Sequence, residues 1–259
     1  MSSALQPATT GDKVDLWYVD FAEVGDAALA HYGELLNAEE RVRRDRFVFD
    51  RDRRAYAVSH ALVRTVLSTY VDVAAARWQF SANAYGRPEI AGDQANCGLR
   101  FNLSHTRGAA LIGVVWGREM GVDIEAVERS TSVVELADRY FSPPEVVDLM
   151  QLPEPRRRDA FFDYWTLKES YIKARGMGLA IPLDQFSFDL SRGTSLACDA
   201  RLGDDGTQWR FARWSPDPRF RAAAAVRCRP EERLSFTIRR CVPLGECGEA
   251  VELEVRVRS

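Results

Sequence analysis

The sequence predicts an α+β protein made of two similar halves, and three observations carry that reading. Short runs rich in β-branched and aromatic residues, bounded by turn signals, recur along the chain and read as strands. Each half also holds one long amphipathic helix, at residues 53–70 and 161–175. The order of strands and helices repeats on either side of residue 117, although the residues themselves do not. Each half, residues 1–117 and 118–259, is therefore expected to be a largely antiparallel sheet carrying a long helix. A chain of 259 residues that is 46% hydrophobic can bury a core of that size.

Residues 14–21, VDLWYVDF, read as the first strand. A helical pattern covers 27–36, and Asn37 is a suitable N-cap for a charged helix starting Ala38-Glu-Glu40. In the helix at 53–70, Tyr56, Leu62, Val63, Val66 and Leu67 form the inner face, and Arg64 reads as structural. Strands at 78–80 and 99–101 flank a turn-rich piece containing Tyr85-Gly86-Arg87-Pro88. Asn102-Leu-Ser104-His105-Thr106 reads as a loop before a buried strand at 109–116. A tight turn at 117–120 then makes a hairpin into Gly121-Val-Asp123-Ile-Glu125. Helices follow at 132–140 and from Ser142-Pro-Pro-Glu145, with proline in the first turn. Residues 153–158 read as a solvated loop, and the helix at 161–175 stops at Gly176-Met-Gly178. Strands near 186–190, 208–214, 222–228, 234–238 and 250–257 complete the chain.

A net charge of −3 gives no global signature of nucleic-acid or membrane binding. The five cysteines form no C-x-x-C pair and have no histidine at zinc-ligand spacing, so neither a disulfide framework nor a zinc site is expected. Residues 1–10 lack the charged and apolar regions of a signal peptide, and the longest apolar runs are strand-sized. The expectation is a cytoplasmic monomer that binds neither nucleic acid nor membrane.

The chemistry concentrates in two segments. On a strand, Asp123 and Glu125 point to one face about 7 Å apart and repel each other unless a cation lies between them. In the second long helix, Lys168 and Glu169 fall inside an apolar arc built from Phe161, Phe162, Tyr164, Trp165, Leu167, Tyr171 and Ile172. Charges there require partners. Only three of the 35 basic residues are lysines, and two of them, Lys168 and Lys173, lie in this helix. A compact ammonium can approach a phosphate as a point charge where a guanidinium does not fit. Carboxylates without His or Cys select a hard cation such as Mg²⁺, with substrate phosphates completing its shell. The arginine run from Arg41 to Arg54, Arg87 and the Ser104-His105 segment are candidates to anchor such a substrate. Most of that run is interleaved with acids and reads as a salt-bridged solvent face.

Gly121-Val-Asp123-Ile-Glu125, Arg139-Tyr-Phe-Ser142-Pro-Pro-Glu145 and Trp165-Thr-Leu-Lys168-Glu169-Ser-Tyr-Ile-Lys173-Ala-Arg-Gly-Met-Gly178 together resemble the signature of the 4′-phosphopantetheinyl transferases. Tyr85-Gly-Arg-Pro88, Phe101-Asn-Leu-Ser-His105 and the region from Arg41 to Arg64 are similar to the longer, pseudo-dimeric surfactin-type members. The resemblance implies two pseudo-symmetric halves with the active site in the cleft between them, the first half on the nucleotide side and the second on the carrier side. It implies transfer of 4′-phosphopantetheine from coenzyme A to a serine of an apo acyl- or peptidyl-carrier protein, releasing 3′,5′-ADP. Asp123, Glu125 and Glu169 would hold Mg²⁺, or Mn²⁺ in its place, and Glu169 would also be the base. Lys168 and Lys173 would neutralise the pyrophosphate. Ser104, His105, Arg43, Arg87 and Tyr56 would hold the 3′-phosphate and adenosine. Arg87 and Arg43 stand where relatives carry lysine, and Glu145 matches a further family acid. The segment 127–147 is expected to receive the carrier, with Val127 and Val133 exposed. Two other readings remain open, a Mg²⁺-dependent nucleotide or coenzyme A hydrolase and a non-catalytic carrier-binding module.

Overall fold

The computed structural model describes residues 11–128, 132–191 and 193–253. In chain order, β1 (Lys13–Asp20) leads to α1 (Asp26–Leu35), α2 (Ala38–Asp45) and α3 (Asp50–Leu67), then to a hairpin of β2 (Gln79–Ala82) and β3 (Pro88–Ala91). β4 (Leu99–Thr106), β5 (Ala109–Trp116) and β6 (Met120–Ala126) follow. Three helices come next, α4 (Val133–Tyr140), α5 (Pro143–Gln151) and α6 (Glu154–Arg175). The hairpin of β7 (Phe186–Asp189) and β8 (Ser195–Cys198) precedes β9 (Trp209–Trp214), β10 (Phe220–Arg227), β11 (Ser235–Arg240) and β12 (Val251–Leu253).

Two sheets organise the α+β fold, one of order β12-β11-β1-β5-β4 and one of order β6-β10-β9. Alternation along each strand gives every sheet two apolar faces. Trp17, Val19, Ala110 and Ile112 face α1 and α3, where Tyr32, Val58, Leu62 and Val66 close the first core. Val14, Leu16, Ala109 and Leu111 face Val122, Ile124, Ala222 and Ala224, so the sheets pack on each other. Ala223 and Ala225 carry the far face of the second sheet against Phe161, Leu167, Tyr171 and Ala174. The four consecutive alanines of β10 thus serve two cores at once, and small side chains let both layers approach closely.

Caps follow the sequence. Asn37 and Glu40 form the reciprocal cap of α2, as Ser142 and Glu145 do for α5. Gly176 ends α6 in the left-handed conformation at φ 67°. Arg64 is fully buried, pairs with Glu40 at 2.7 Å and donates to Trp78 O at 2.8 Å, a structural role as expected.

Five expectations need correction. Residues 102–106 form the end of strand β4, whose polar side chains alternate rather than signal a loop. The turn at 117–120 does not make a hairpin, because β5 and β6 belong to different sheets. Residues 154–158 are the first turns of α6, with proline in the position where a helix tolerates it. The second half is not contiguous in space: β11 and β12 join the first sheet, β11 parallel to β1 from Lys13↔Ser235 to Tyr18↔Arg240. Cys241 and Cys247 are joined as a disulfide across an isolated bridge. Residues 254–257 of the last expected strand lie outside the described residues. Among the described residues no helix is long and apolar enough to cross a membrane.

Candidate active site

Gly121 sets the distance between β6 and α6. A Cβ built on it would strike the Ser170 carbonyl oxygen and the Ala174 nitrogen, so the strand lies directly on the helix backbone. This contact brings Asp123, two residues on, beside Glu169 and Lys173, which are one helical turn apart. Lys173 Nζ donates to Asp123 Oδ1 at 2.6 Å and to Ser104 Oγ at 2.9 Å. Ser104 Oγ donates to Asp123 Oδ1 at 2.9 Å. β4, β6 and α6 therefore meet at one buried carboxylate, 3% exposed. Its other oxygen, Oδ2, is buried and makes no hydrogen bond. Glu125 accepts from Thr106 Oγ1 at 3.1 Å.

Glu169 is half-buried, and burial first, then the Asp123 carboxylate, push it up to about 7, with Glu125 adding to the rise and Lys173 opposing it. Three acids sharing one neighbourhood is the state that a divalent cation relieves. With hard oxygen donors and the unpartnered Asp123 Oδ2, these residues fit a cation such as Mg²⁺. As the side chains stand, no three acids, histidines or cysteines among the described residues are arranged to hold an ion.

His105 follows Ser104 on β4, exposed at the rim; desolvation and the Lys173 ammonium hold it below the usual histidine range. Burial holds His60 low as well, with Arg64 and His105 adding to the fall and Glu40 opposing it. His60 stacks on Tyr56 with ring centroids 3.8 Å apart, and burial raises the Tyr56 phenol while Arg43 opposes the rise. Tyr56 and His60 thus form one stacked pair on α3. His60 was not a sequence candidate; its signal is its position one helical turn after Tyr56 in α3. Of the arginine run, Arg44, Arg51, Arg53 and Arg54 pair with Asp45, Asp52, Asp50 and Asp26 at the surface, the solvent face expected.

Two candidates lie elsewhere. Lys168 is fully buried, donates to the carbonyls of Leu183 and Phe186 at 2.7 Å each, and pairs with Glu145 Oε2 at 2.7 Å. Its ammonium is consumed inside the second half, because position 168 lies in the apolar arc of α6 that packs inward. Glu145 also accepts from Phe188 N at 2.9 Å and caps α5. Arg87 reaches the C-terminal carbonyls of α6, Ala174 O at 3.1 Å, and Glu89 at 2.8 Å, while Asn83 Nδ2 donates to Gly176 O at 3.1 Å. The turn before β3 is a strap on the end of α6 rather than part of the Ser104 cluster. On the segment 127–147, Val127 and Val133 are half-buried against the second core, and Val134 and Val147 are the exposed ones; residues 129–131 lie outside the described residues.

Residues 119–226 match the 4′-phosphopantetheinyl transferase superfamily, and residues 25–113 match the 4′-phosphopantetheinyl transferase N-terminal family. The chain is 34% identical to the 4′-phosphopantetheinyl transferase HetI of Nostoc sp., over 65% of this chain and 71% of that one. It is 33% identical to the 4′-phosphopantetheinyl transferase ffp of Bacillus subtilis, over 76% and 84% of the two chains. With the 4′-phosphopantetheinyl transferase Sfp of Bacillus subtilis it shares 30% identity over 74% and 82%.

Proposed function

The chain belongs to the surfactin-type 4′-phosphopantetheinyl transferases, and from that premise we propose how its residues carry out the transfer. The reaction moves the phosphopantetheine group of coenzyme A to a carrier protein. In the proposed step a carrier serine oxygen bonds to the phosphorus that bears the pantetheine arm. The pyrophosphate P–O bond breaks, and 3′,5′-ADP leaves with the electron pair.

Asp123, Glu125 and Glu169 would hold Mg²⁺, which would supply charge stabilisation for the pyrophosphate of coenzyme A. Glu169 is also the residue that takes the serine proton, as the acid nearest Asp123 and Lys173 on α6. Lys173 supplies a fixed positive charge beside the reacting phosphates, a preorganised contribution that needs no rearrangement during reaction. His105 and Arg43 bind the 3′-phosphate; a phosphate dianion at His105 reverses its depressed basicity and favours the charged imidazole. Ser104 keeps Lys173 and Asp123 together. Lys168 has no part in this step.

The observation that carries the reading is the meeting of Ser104, Asp123 and Lys173 from three elements, with Glu169 alongside. Incubating the protein with apo-carrier, coenzyme A and Mg²⁺ and weighing the carrier intact tests it. The expected result is a carrier heavier by one phosphopantetheine, abolished by chelation or by Asp123→Ala. Coenzyme A cleaved with the carrier unchanged would make the protein a hydrolase, and no change in either would make it a binding module.

A further inference from the structure

β4 and β6 run side by side but belong to different sheets. Where a paired strand would present carbonyls, β4 presents side chains. Asn102 Oδ1, Ser104 Oγ and Thr106 Oγ1 accept the backbone N–H groups of Val122, Ile124 and Ala126 at 2.9, 3.4 and 3.2 Å. A buried N–H left without an acceptor is costly, so all three support the fold. Any acceptor of the right reach would serve that purpose.

The choice among acceptors follows a second pattern. Ser104 stands level with Asp123 and Thr106 with Glu125, which puts Asn102 level with Gly121, where there is no side chain to address. At the two positions facing a carboxylate the acceptor is a hydroxyl, which can donate as well as accept. Ser104 Oγ donates to Asp123 Oδ1 at 2.9 Å and Thr106 Oγ1 to Glu125 Oε2 at 3.1 Å. Thr106 is 5% exposed and anchored from behind by the Ala126 N–H, so its hydroxyl is a fixed donor rather than a solvent-exposed rotor.

We propose that Thr106 is a positioning residue of the metal-binding set, acting through Glu125: its hydroxyl holds that carboxylate beside Asp123 and Glu169. The proposal rests on the reading of those three acids as Mg²⁺ ligands. Thr106 touches neither ion nor substrate in this role. Hydrogen-bond partners of metal-bound carboxylates fix the ligand's orientation, and losing one costs about 10–100-fold in metal affinity.

The test measures Mn²⁺ uptake by electron paramagnetic resonance, with Mg²⁺ competition, on the full chain in the presence of coenzyme A. Thr106→Val is expected to weaken Mn²⁺ binding by about 10–100-fold and to raise the Mg²⁺ concentration for half-maximal transfer by a similar factor. Thr106→Ser, which keeps the hydroxyl, is expected to restore both, and thermal melting monitors the fold. Unchanged Mn²⁺ affinity in T106V overturns the proposal, as does an equal loss in T106S, since the hydroxyl would then not be the cause. If T106V does not fold, Thr106→Cys replaces it, because a thiol accepts and donates only weakly; a loss supports the proposal and unchanged affinity overturns it. If the wild-type protein takes up no stoichiometric Mn²⁺, or Asp123→Ala does not alter uptake, the metal reading itself falls and takes this role with it.

Discussion

Burial and the neighbouring Asp123 and Glu125 carboxylates disfavour the ionised form of Glu169, a cost that the fold must bear. Its folded value of about 7 lies above its ordinary 4.5, so the folded state holds the proton more tightly than the unfolded one. The stability this confers is fully present below pH 4.5 and is lost as pH rises through 7. Glu169→Gln is therefore expected to melt higher than the wild type in metal-free buffer at pH 8, by about 1–3 kcal/mol, and to lose that advantage below pH 4.5. Thermal denaturation across pH measures it; a variant no more stable at pH 8 would show that neither burial nor its neighbours hold Glu169 above its ordinary value. At this scale the sequence was half legible. Asp123, Glu169 and Lys173 could be grouped because strand period and helical turn place them on defined faces. Lys168 was correctly seen to need a partner, but Glu145 lies 23 positions earlier on another helix, and only packing reveals that the pair closes on itself. Thr106 was passed over because its role depends on register between two strands that share no ladder.

The elements most easily misread are those whose neighbours are unusual. β4 looks like a loop because Asn102, Ser104 and Thr106 are polar, yet their alternation is what a strand shows when the adjacent edge needs side-chain acceptors. The first turns of α6 look like a solvated loop because Pro155 and three arginines precede the apolar arc. There, Arg157 is spent on α5, donating to Leu152 O at 2.9 Å and Met150 O at 3.1 Å. α4 and α5 lie in the segment expected to receive the carrier. Val134 and Val147, 41% and 56% exposed, are apolar positions with no core to fill. Val134→Asp is expected to raise the apparent KM for carrier about tenfold or more, since a charge would be desolvated at an apolar contact. Coenzyme A affinity by calorimetry should stay unchanged. A variant that uses carrier normally would move the docking surface elsewhere.

At the level of the whole molecule, the two sheets pack face to face with helices outside, an arrangement legible from two long amphipathic helices and many short strands. What the sequence did not disclose is that residues 235–253 belong with residues 13–20. Strand direction and partner choice across so long a separation leave no local trace, because a short alternating run pairs equally well with many edges. Phe236, fully buried between the sheets, shows how much this return contributes. Removing residues from 235 onward is expected to abolish coenzyme A binding and produce aggregation, although every candidate site residue remains in the chain. Light scattering and calorimetry on the truncated protein decide this. A soluble fragment that still binds coenzyme A would show that the first sheet stands without its parallel partner.

The pairing of β1 with β11 also places a delay into the life of each newly made chain. Lys13 waits for Ser235, and at roughly 5–20 residues per second a ribosome needs on the order of 10–40 s to cover that stretch. Throughout this interval one edge of β1 offers unpaired N–H and C=O groups, a template for other strands. Val14, Leu16 and Tyr18, buried in the finished protein, have no second sheet to cover them until β10 has been made. Production of active protein in a cell should thus depend on what shelters a nascent β1, and slowing translation between residues 120 and 235 should lower soluble yield without changing any residue.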